Sequence, residues 1–388
     1  MNSAAHAIDG HAEPRFDLVR MTFAENFATR GEIGAGVAIY LDGEPVVDLW
    51  GGRVVEDGKP GAAWQRDTLV GMMSVNKAVT AICAHRLADQ GLLDYEKPVV
   101  YYWPEFAQAG KEAVTVRQVM GGLAALVFPD EVPAGKVFDW EAMIEGLSKQ
   151  VPAWPVGTKG AYHSSTYGHL VGELVRLISG QRVEDYFRSQ IADPMDLDYW
   201  FVVPPSQRHR VSELLPNPDS VTANAVAAGG TNKIGRAWRI LPRPDVVGVL
   251  NDPQYAGEVM PSGFGRGNAR ALGKLFAALS VGGELDGFRI MSPDTLKAAT
   301  TLQCEGECGL TDRPFRYALG LFLNSPGYMP MGPNLTAFGH AGAGGSLGFA
   351  DPENRLAFSY CTNFMCGGAG VGDRCEALVD AAYEALSA

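Results

Sequence analysis

The sequence predicts an α+β fold. An antiparallel sheet built from both termini is flanked by helices in three layers, α-β-α, and a mostly helical region is inserted in the middle. Strand-like runs cluster at the two ends of the chain, whereas the middle carries apolar residues at helical spacing. Near the N-terminal end, residues 36–41 and 45–50 are β-rich and flank Asp42-Gly43, a strong hairpin signal. The texture changes over residues 194–261, which hold nine of the 24 prolines, so this segment is loop-rich or made of broken helices. The expected division is a discontinuous sheet domain, residues 15–73 and 301–388, around a central helix and mostly helical inserted domain, residues 74–300.

Taken in order, Phe16, Val19, Phe23 and Phe27 mark an amphipathic helix over residues 16–28. Gly51-Gly52 closes the second hairpin strand, and residues 68–70 approach the central helix. That helix spans residues 74–90, with Val75, Val79, Ile82, Cys83 and Leu87 on its buried side and Gly91 as its stop. Further helices are expected at 116–120, 140–148, 167–179, 183–192, 268–281, 293–300 and 373–386. Short strands are expected at 317–323, 336–338, 345–350 and 356–362, with Asp351-Pro352-Glu353-Asn354 turning between the last two.

At 388 residues the chain is too long for one ordinary core and suits one large or two interleaved domains. It is 46% hydrophobic and 20% charged, ordinary for a globular protein. A net charge of −12 argues against nucleic acid or an anionic membrane as partner. No run approaches the roughly 20 apolar residues of a membrane span. Residues 1–13 are polar and show no secretory signal, so a cytoplasmic protein is expected. The six cysteines include no Cys-x-x-Cys and are expected to be free, mostly buried thiols. Cys304 and Cys308 lack the company a metal needs, so neither metal nor cofactor is expected. Nothing in the composition selects an oligomeric state.

Chemistry concentrates in three clusters. In Gly71-Met72-Met73-Ser74-Val75-Asn76-Lys77, a hydroxyl and an amine stand three residues apart. On a helix they lie about 60° apart, one turn along the axis, and share a face. A buried lysine loses preference for its charge and becomes a usable base beside a serine nucleophile. At a helix start the Ser74 N–H is also free to face an oxyanion. The second cluster, Tyr162-His163-Ser164-Ser165-Thr166, precedes a capped helix. The third, His340-Ala341-Gly342-Ala343-Gly344-Gly345-Ser346, is a glycine-rich strand edge that a ligand can approach closely. There His340 is a candidate donor and the Ala343 N–H a candidate second oxyanion donor. Gly344-x-Ser346-x-Gly348 matches a nucleophile elbow in letters only, because strand, turn and strand are expected there instead of strand, turn and helix.

In this order the three clusters resemble the serine β-lactamase and penicillin-binding-protein superfamily, in particular its class C-like esterase branch, the family VIII carboxylesterases. Ser74-x-x-Lys77 stands in the first motif, Tyr162-His163-Ser164 in the Tyr-x-Asn place, and His340-Ala341-Gly342 in the Lys-Thr-Gly place. The resemblance covers most of the chain from about residue 15. It implies a β-lactamase-like fold and a covalent acyl-Ser74 intermediate. Lys77 and Tyr162 would share the proton transfers, the Ser74 and Ala343 N–H groups would hold the oxyanion, and Ser164, His340 and Gly342 would bind substrate. Ser164 replaces the asparagine and His340 the lysine of β-lactamases, and a neutral histidine pairs poorly with a carboxylate. Small acyl esters are therefore the expected substrates. A β-lactamase, a D-peptide hydrolase or an acyltransferase on the same fold is the alternative, and a non-catalytic binding protein the remote one. Gly121-Gly122-Leu123 stands where relatives usually carry a Ser-His-Thr-like run. The acyl pocket is expected from residues 194–261 and from the Ser262-Gly263-Phe264-Gly265 loop, with Phe264 touching substrate.

Overall fold

The computed structural model describes residues 8–368 and 370–387. The chain begins with strand β1 (Ile8–Ala12), helix α1 (Asp17–Thr29), the hairpin β2 (Gly34–Leu41) and β3 (Glu44–Glu56), then β4 (Lys59–Ala63) and β5 (Leu69–Gly71). The helical region follows: α2 (Asn76–Asp89), α3 (Val116–Met120), α4 (Trp140–Lys149), α5 (Tyr167–Ser179) and α6 (Val183–Phe187). Next come β6 (Tyr199–Trp200), β7 (Val211–Ser212), α7 (Val221–Ala227), α8 (Lys233–Ala237), α9 (Val246–Asn251), β8 (Arg266–Gly267) and α10 (Ala269–Ser280). The last part holds β9 (Glu284–Leu285), β10 (Phe288–Arg289), α11 (Pro293–Thr300) and β11 (Cys304–Glu307). It continues with β12 (Pro314–Tyr317), β13 (Phe322–Leu323), β14 (Phe338–Ala341), β15 (Leu347–Asp351), β16 (Leu356–Thr362) and α12 (Gly372–Ser387).

Both ends of the chain meet in one antiparallel sheet, ordered β1-β3-β2-β16-β15-β14-β13-β12-β11 with β4 on β3. The seam is β2 against β16, where Val37 faces Tyr360 and Ile39 faces Phe358. Successive residues of a strand point to opposite faces, and β16 shows both layers. Ser359 donates to Ala269 O at 2.6 Å on the α10 side. Tyr360 bonds Glu32, which pairs with Arg374 of α12 at 2.8 Å on the other. Helices α1 and α12 pack together there, so helix, sheet and helix form three layers.

Several expectations need adjusting. Gly51-Gly52 does not end a strand, because β3 runs on to Glu56. Gly52 has φ +84, and a Cβ there would lie 2.1 Å from Ile33 O, so it marks a close backbone approach inside the strand. The run 317–323 is split into β12 and β13 at Gly320, φ +85, where a Cβ would meet the Tyr167 hydroxyl at 2.1 Å. The helix expected over 183–192 turns from α-helix to π-helix at Arg188. Residues 8–12 form the edge strand β1, paired with β3 from Ile8–Gly51 to Ala12–Val47. Residues 1–7 lie outside the described residues. No described helix is long and apolar enough to cross a membrane. All six cysteines are free and only Cys304 is partly exposed.

A second, four-stranded sheet ordered β6-β8-β5-β7 positions the candidate site. Strand β5 sits inside it, with Val70 opposite Gly267 and Gly71 opposite Arg266. The chain then leaves for Ser74.

Candidate active site

Ser74 sits at the bend between β5 and α2. Met72 N–H is held by Gly265 O at 2.9 Å, and Met73 adopts a left-handed backbone, φ 47. Such a conformation in a non-glycine residue is uncommon and marks a tightly determined turn. Residues Met73–Val75 form a 3-10 turn, so α2 proper starts at Asn76, two residues later than the spacing predicts.

The predicted pairing of Ser74 and Lys77 is close, with Lys77 Nζ 3.0 Å from Ser74 Oγ. Lys77 also donates to Ser262 O at 2.6 Å. Its side chain is fully buried, and burial alone pushes its pKa well below the ordinary lysine value. A neutral amine keeps one proton for Ser262 O and offers its lone pair to the Ser74 hydroxyl. The carbonyl of Ser262 is placed by a web around it. Asn76 Nδ2 and Thr80 Oγ1 both reach Pro261 O, at 3.0 and 3.1 Å, while Ser262 Oγ accepts from Gly168 N at 2.7 Å and donates to Ser165 O at 3.0 Å.

Tyr162 lies over the same pair. Its ring centroid is 4.8 Å from Lys77 Nζ, and its phenol hydrogen-bonds Ser74. Burial raises the phenol above its ordinary pKa and outweighs the lowering from Ser74, so Tyr162 holds its proton. The unusual run 121–126 frames this loop through its backbone. Gly122 O accepts from Ala161 N at 2.8 Å, and Leu126 N donates to His163 Nε2 at 3.1 Å. With Nε2 accepting, Nδ1 is the protonated nitrogen and donates to Ala161 O at 2.9 Å. His163 is thus a satisfied core residue. Gly122 needs its φ of +75, since a Cβ would lie 2.9 Å from Ala161 O.

The third cluster forms the opposite wall. A Cβ on Gly342 would stand 2.3 Å from Met72 O, so only glycine lets β14's end pack against the Ser74 turn. Gly342 N–H is used by Ser346 O at 2.7 Å, whereas the Ala343 N–H has no acceptor among the described residues. Ser346 is buried and followed by β15, with no helix after it.

Ser74, Tyr162, Ser164, Ala341, Gly342 and Ala343 line a cavity of about 120 Å³. Residues 194–261 contribute Thr222, Val226, Ile234, Trp238 and Val246 to its lining. Ser164 Oγ accepts from the Trp238 indole N–H at 2.7 Å. Sequence reasoning did not find Trp238, nor the Ser262 carbonyl, because a single indole or backbone oxygen carries no motif.

Two expected substrate-binding residues are placed elsewhere. His340 is fully buried behind Tyr162, its ring 5.8 Å from that of Tyr162 and 4.9 Å from Phe322. Its Nδ1 is engaged with Ala341 O, and burial, followed by the nearby Lys77, lowers its pKa to about 3. It does not line the cavity that Ala341 lines, and its Nε2 has no hydrogen-bond partner among the described residues. Phe264 is likewise core, 1% exposed and 5.6 Å from the Phe138 ring. A Cβ on the neighbouring Gly265 would lie 2.2 Å from Asn76 Oδ1, and this close approach anchors the loop's backbone at α2. The loop contributes its Ser262 carbonyl to Lys77 rather than a side chain to substrate.

A serine held by a buried amine and a phenol, between a helical region and an antiparallel sheet, defines a serine hydrolase of β-lactamase fold. The chain belongs to the Beta-lactamase family, whose profile matches residues 19–381. It is 35% identical over 368 residues to the Mycobacterium tuberculosis protein described as esterase/beta-lactamase LipL, covering 93% of this chain and 84% of that one. Among solved structures, a family VIII carboxylesterase aligns at TM-score 0.88 with 34% identity, over 98% of this chain and 100% of that one. A penicillin-binding protein homologue from Caulobacter crescentus aligns at TM-score 0.87 with 35% identity, over the same shares.

Proposed function

We propose that the chain is a carboxylesterase that cleaves small, uncharged acyl esters through an acyl-Ser74 intermediate. The observation that carries this reading is the cavity over Ser74, where no lining side chain among the described residues is charged. A substrate carboxylate, such as that of a penicillin or a D-peptide, would be desolvated there without a counter-charge. A neutral ester incurs no such cost, and Trp238, Val226, Ile234 and Met329 offer it apolar surface.

In this reading neutral Lys77 takes the Ser74 proton as Oγ attacks the ester carbon. The Ser74 and Ala343 N–H groups face the oxyanion that forms. Tyr162 donates its proton to the departing alkoxide, the C–O bond breaks, and the proton held by Lys77 returns to the phenol. Water then loses a proton to the same pair, attacks the acyl carbon and releases the acid, while Ser74 recovers its hydrogen. The test is hydrolysis of a short-chain p-nitrophenyl ester by wild type and Ser74→Ala beside nitrocefin turnover. Full activity in Ser74→Ala would overturn the mechanism. Nitrocefin turnover equal to ester turnover would overturn the substrate class.

A further inference from the structure

A second cavity, of about 190 Å³, shares no lining residue with the Ser74 cavity. Gly71 and Ala256 line it together with two arginines, Arg208 and Arg266, and two acids, Glu213 and Asp252. Arg266 is 8% exposed. Its guanidinium reaches only backbone oxygens, Leu250 O at 2.6 Å and Phe264 O at 3.4 Å. No carboxylate pairs with it among the described residues, and Arg208 beside it adds a like charge. Arg208, exposed at the rim, bonds Val203 O at 3.2 Å and has no acidic partner either.

Of the two acids, Asp252 is held by a cation and Glu213 by a backbone N–H. Asp252 pairs with Arg243 at 2.9 Å and caps Gln254 N at 2.9 Å. Glu213 accepts from Gly58 N at 2.9 Å. Elsewhere the buried Arg374 has Glu32 at 2.8 Å. A desolvated guanidinium without such a partner is costly, and a bound anion removes that cost.

We infer that this cavity is a binding site for a small oxyanion, a short carboxylate or orthophosphate, held by Arg266 with Arg208 at the mouth. A guanidinium matches two oxygens of either group with parallel N–H bonds, and the volume suits an ion of a few heavy atoms. The site is separate from the esterase cavity and does not depend on the proposed reaction. Arg266 is the strand partner of Gly71, so the anion would sit against the backbone that leads to Ser74.

The test is thermal unfolding of the full chain titrated separately with sodium phosphate and sodium acetate, at ionic strength held constant with sodium chloride. At saturation Tm should rise by about 2 °C or more with at least one of them, and the one that acts identifies the ligand class. Ser74→Ala should respond like wild type, and Arg266→Met should not respond. If Arg266→Met does not fold, Ala256→Leu, which narrows the cavity and leaves both arginines, should weaken the apparent affinity at least tenfold. No rise with either anion in wild type, or an unchanged rise in whichever of Arg266→Met and Ala256→Leu folds, would overturn the inference.

Discussion

Lys77 and Lys111 are both fully buried lysines, yet they are suited to opposite tasks. Lys111 Nζ donates to three carbonyls, Gln108 O at 2.9 Å, Ser148 O at 2.9 Å and Gln150 O at 2.8 Å. Burial lowers it to about 8, but every proton of its ammonium has an acceptor. It fastens the loop before α3 to the end of α4. Lys77 has one carbonyl and one hydroxyl, with the Tyr162 ring at 4.8 Å. Burial alone therefore does not make a lysine a base. A missing acceptor does, because only a lysine with an unfilled position gives up a proton and still satisfies its nitrogen.

The most direct way to break this comparison is the same substitution at both positions. Lys77→Met should lower kcat/KM for a p-nitrophenyl ester by about 10³-fold or more. Lys111→Met should leave the folded enzyme within about twofold of wild type. A large loss of kcat in correctly folded Lys111→Met would erase the distinction. Stability should show the reverse, since Lys111→Met strands the buried carbonyls of Ser148 and Gln150, while Gln108 O keeps the Lys111 N–H, and should cost about 2 kcal/mol in denaturant unfolding. Tyr162→Phe keeps the ring over Lys77 and removes the proposed acid, so kcat should fall by about 10²-fold with little change in unfolding.

The pH dependence sharpens the contrast. In the proposed reaction Lys77 acts as a neutral amine, so kcat/KM should climb with pH through a depressed lysine pKa. It should then stay level beyond pH 9, because Tyr162 is shifted upward. For Lys111 the folded value, about 8, lies below the ordinary 10.5. Between these values the unfolded chain holds more protons, so this contribution to stability rises with pH. The difference in unfolding free energy between wild type and Lys111→Met should grow over that window, and a difference that shrinks would contradict it. The smallest effect is expected from Ser164→Ala, which leaves the Trp238 indole without its acceptor. It should cost about 1 kcal/mol, read as a raised KM with nearly unchanged kcat.

Much of the framework was legible in the residues. Asp42-Gly43 announced the hairpin, and the apolar spacing placed 116–120, 167–179 and 293–300 at the helix bounds observed. The three clusters, with the resemblance they carry, brought Ser74, Lys77 and Tyr162 together as candidates. Strand β1 escaped notice because Ile8–Ala12 is mostly exposed and has no alternating pattern, so only pairing with β3 makes it a strand. The two-residue strands β6, β7 and β8 are too short for any period to register.

Local sequence determined the helices, the hairpin and the spacing of Ser74 and Lys77, since these depend on neighbours within one or two turns of chain. Tertiary packing alone decided which groups face the serine. It brought the Ser262 carbonyl to Lys77 across 185 positions and turned the Trp238 indole toward Ser164 across 74. It also sent His340 and Phe264 into the core. The physical reason is the same in each case: a side chain's orientation and a carbonyl's partner are set by long-range close packing and desolvation, and neither leaves a trace in the residues beside it.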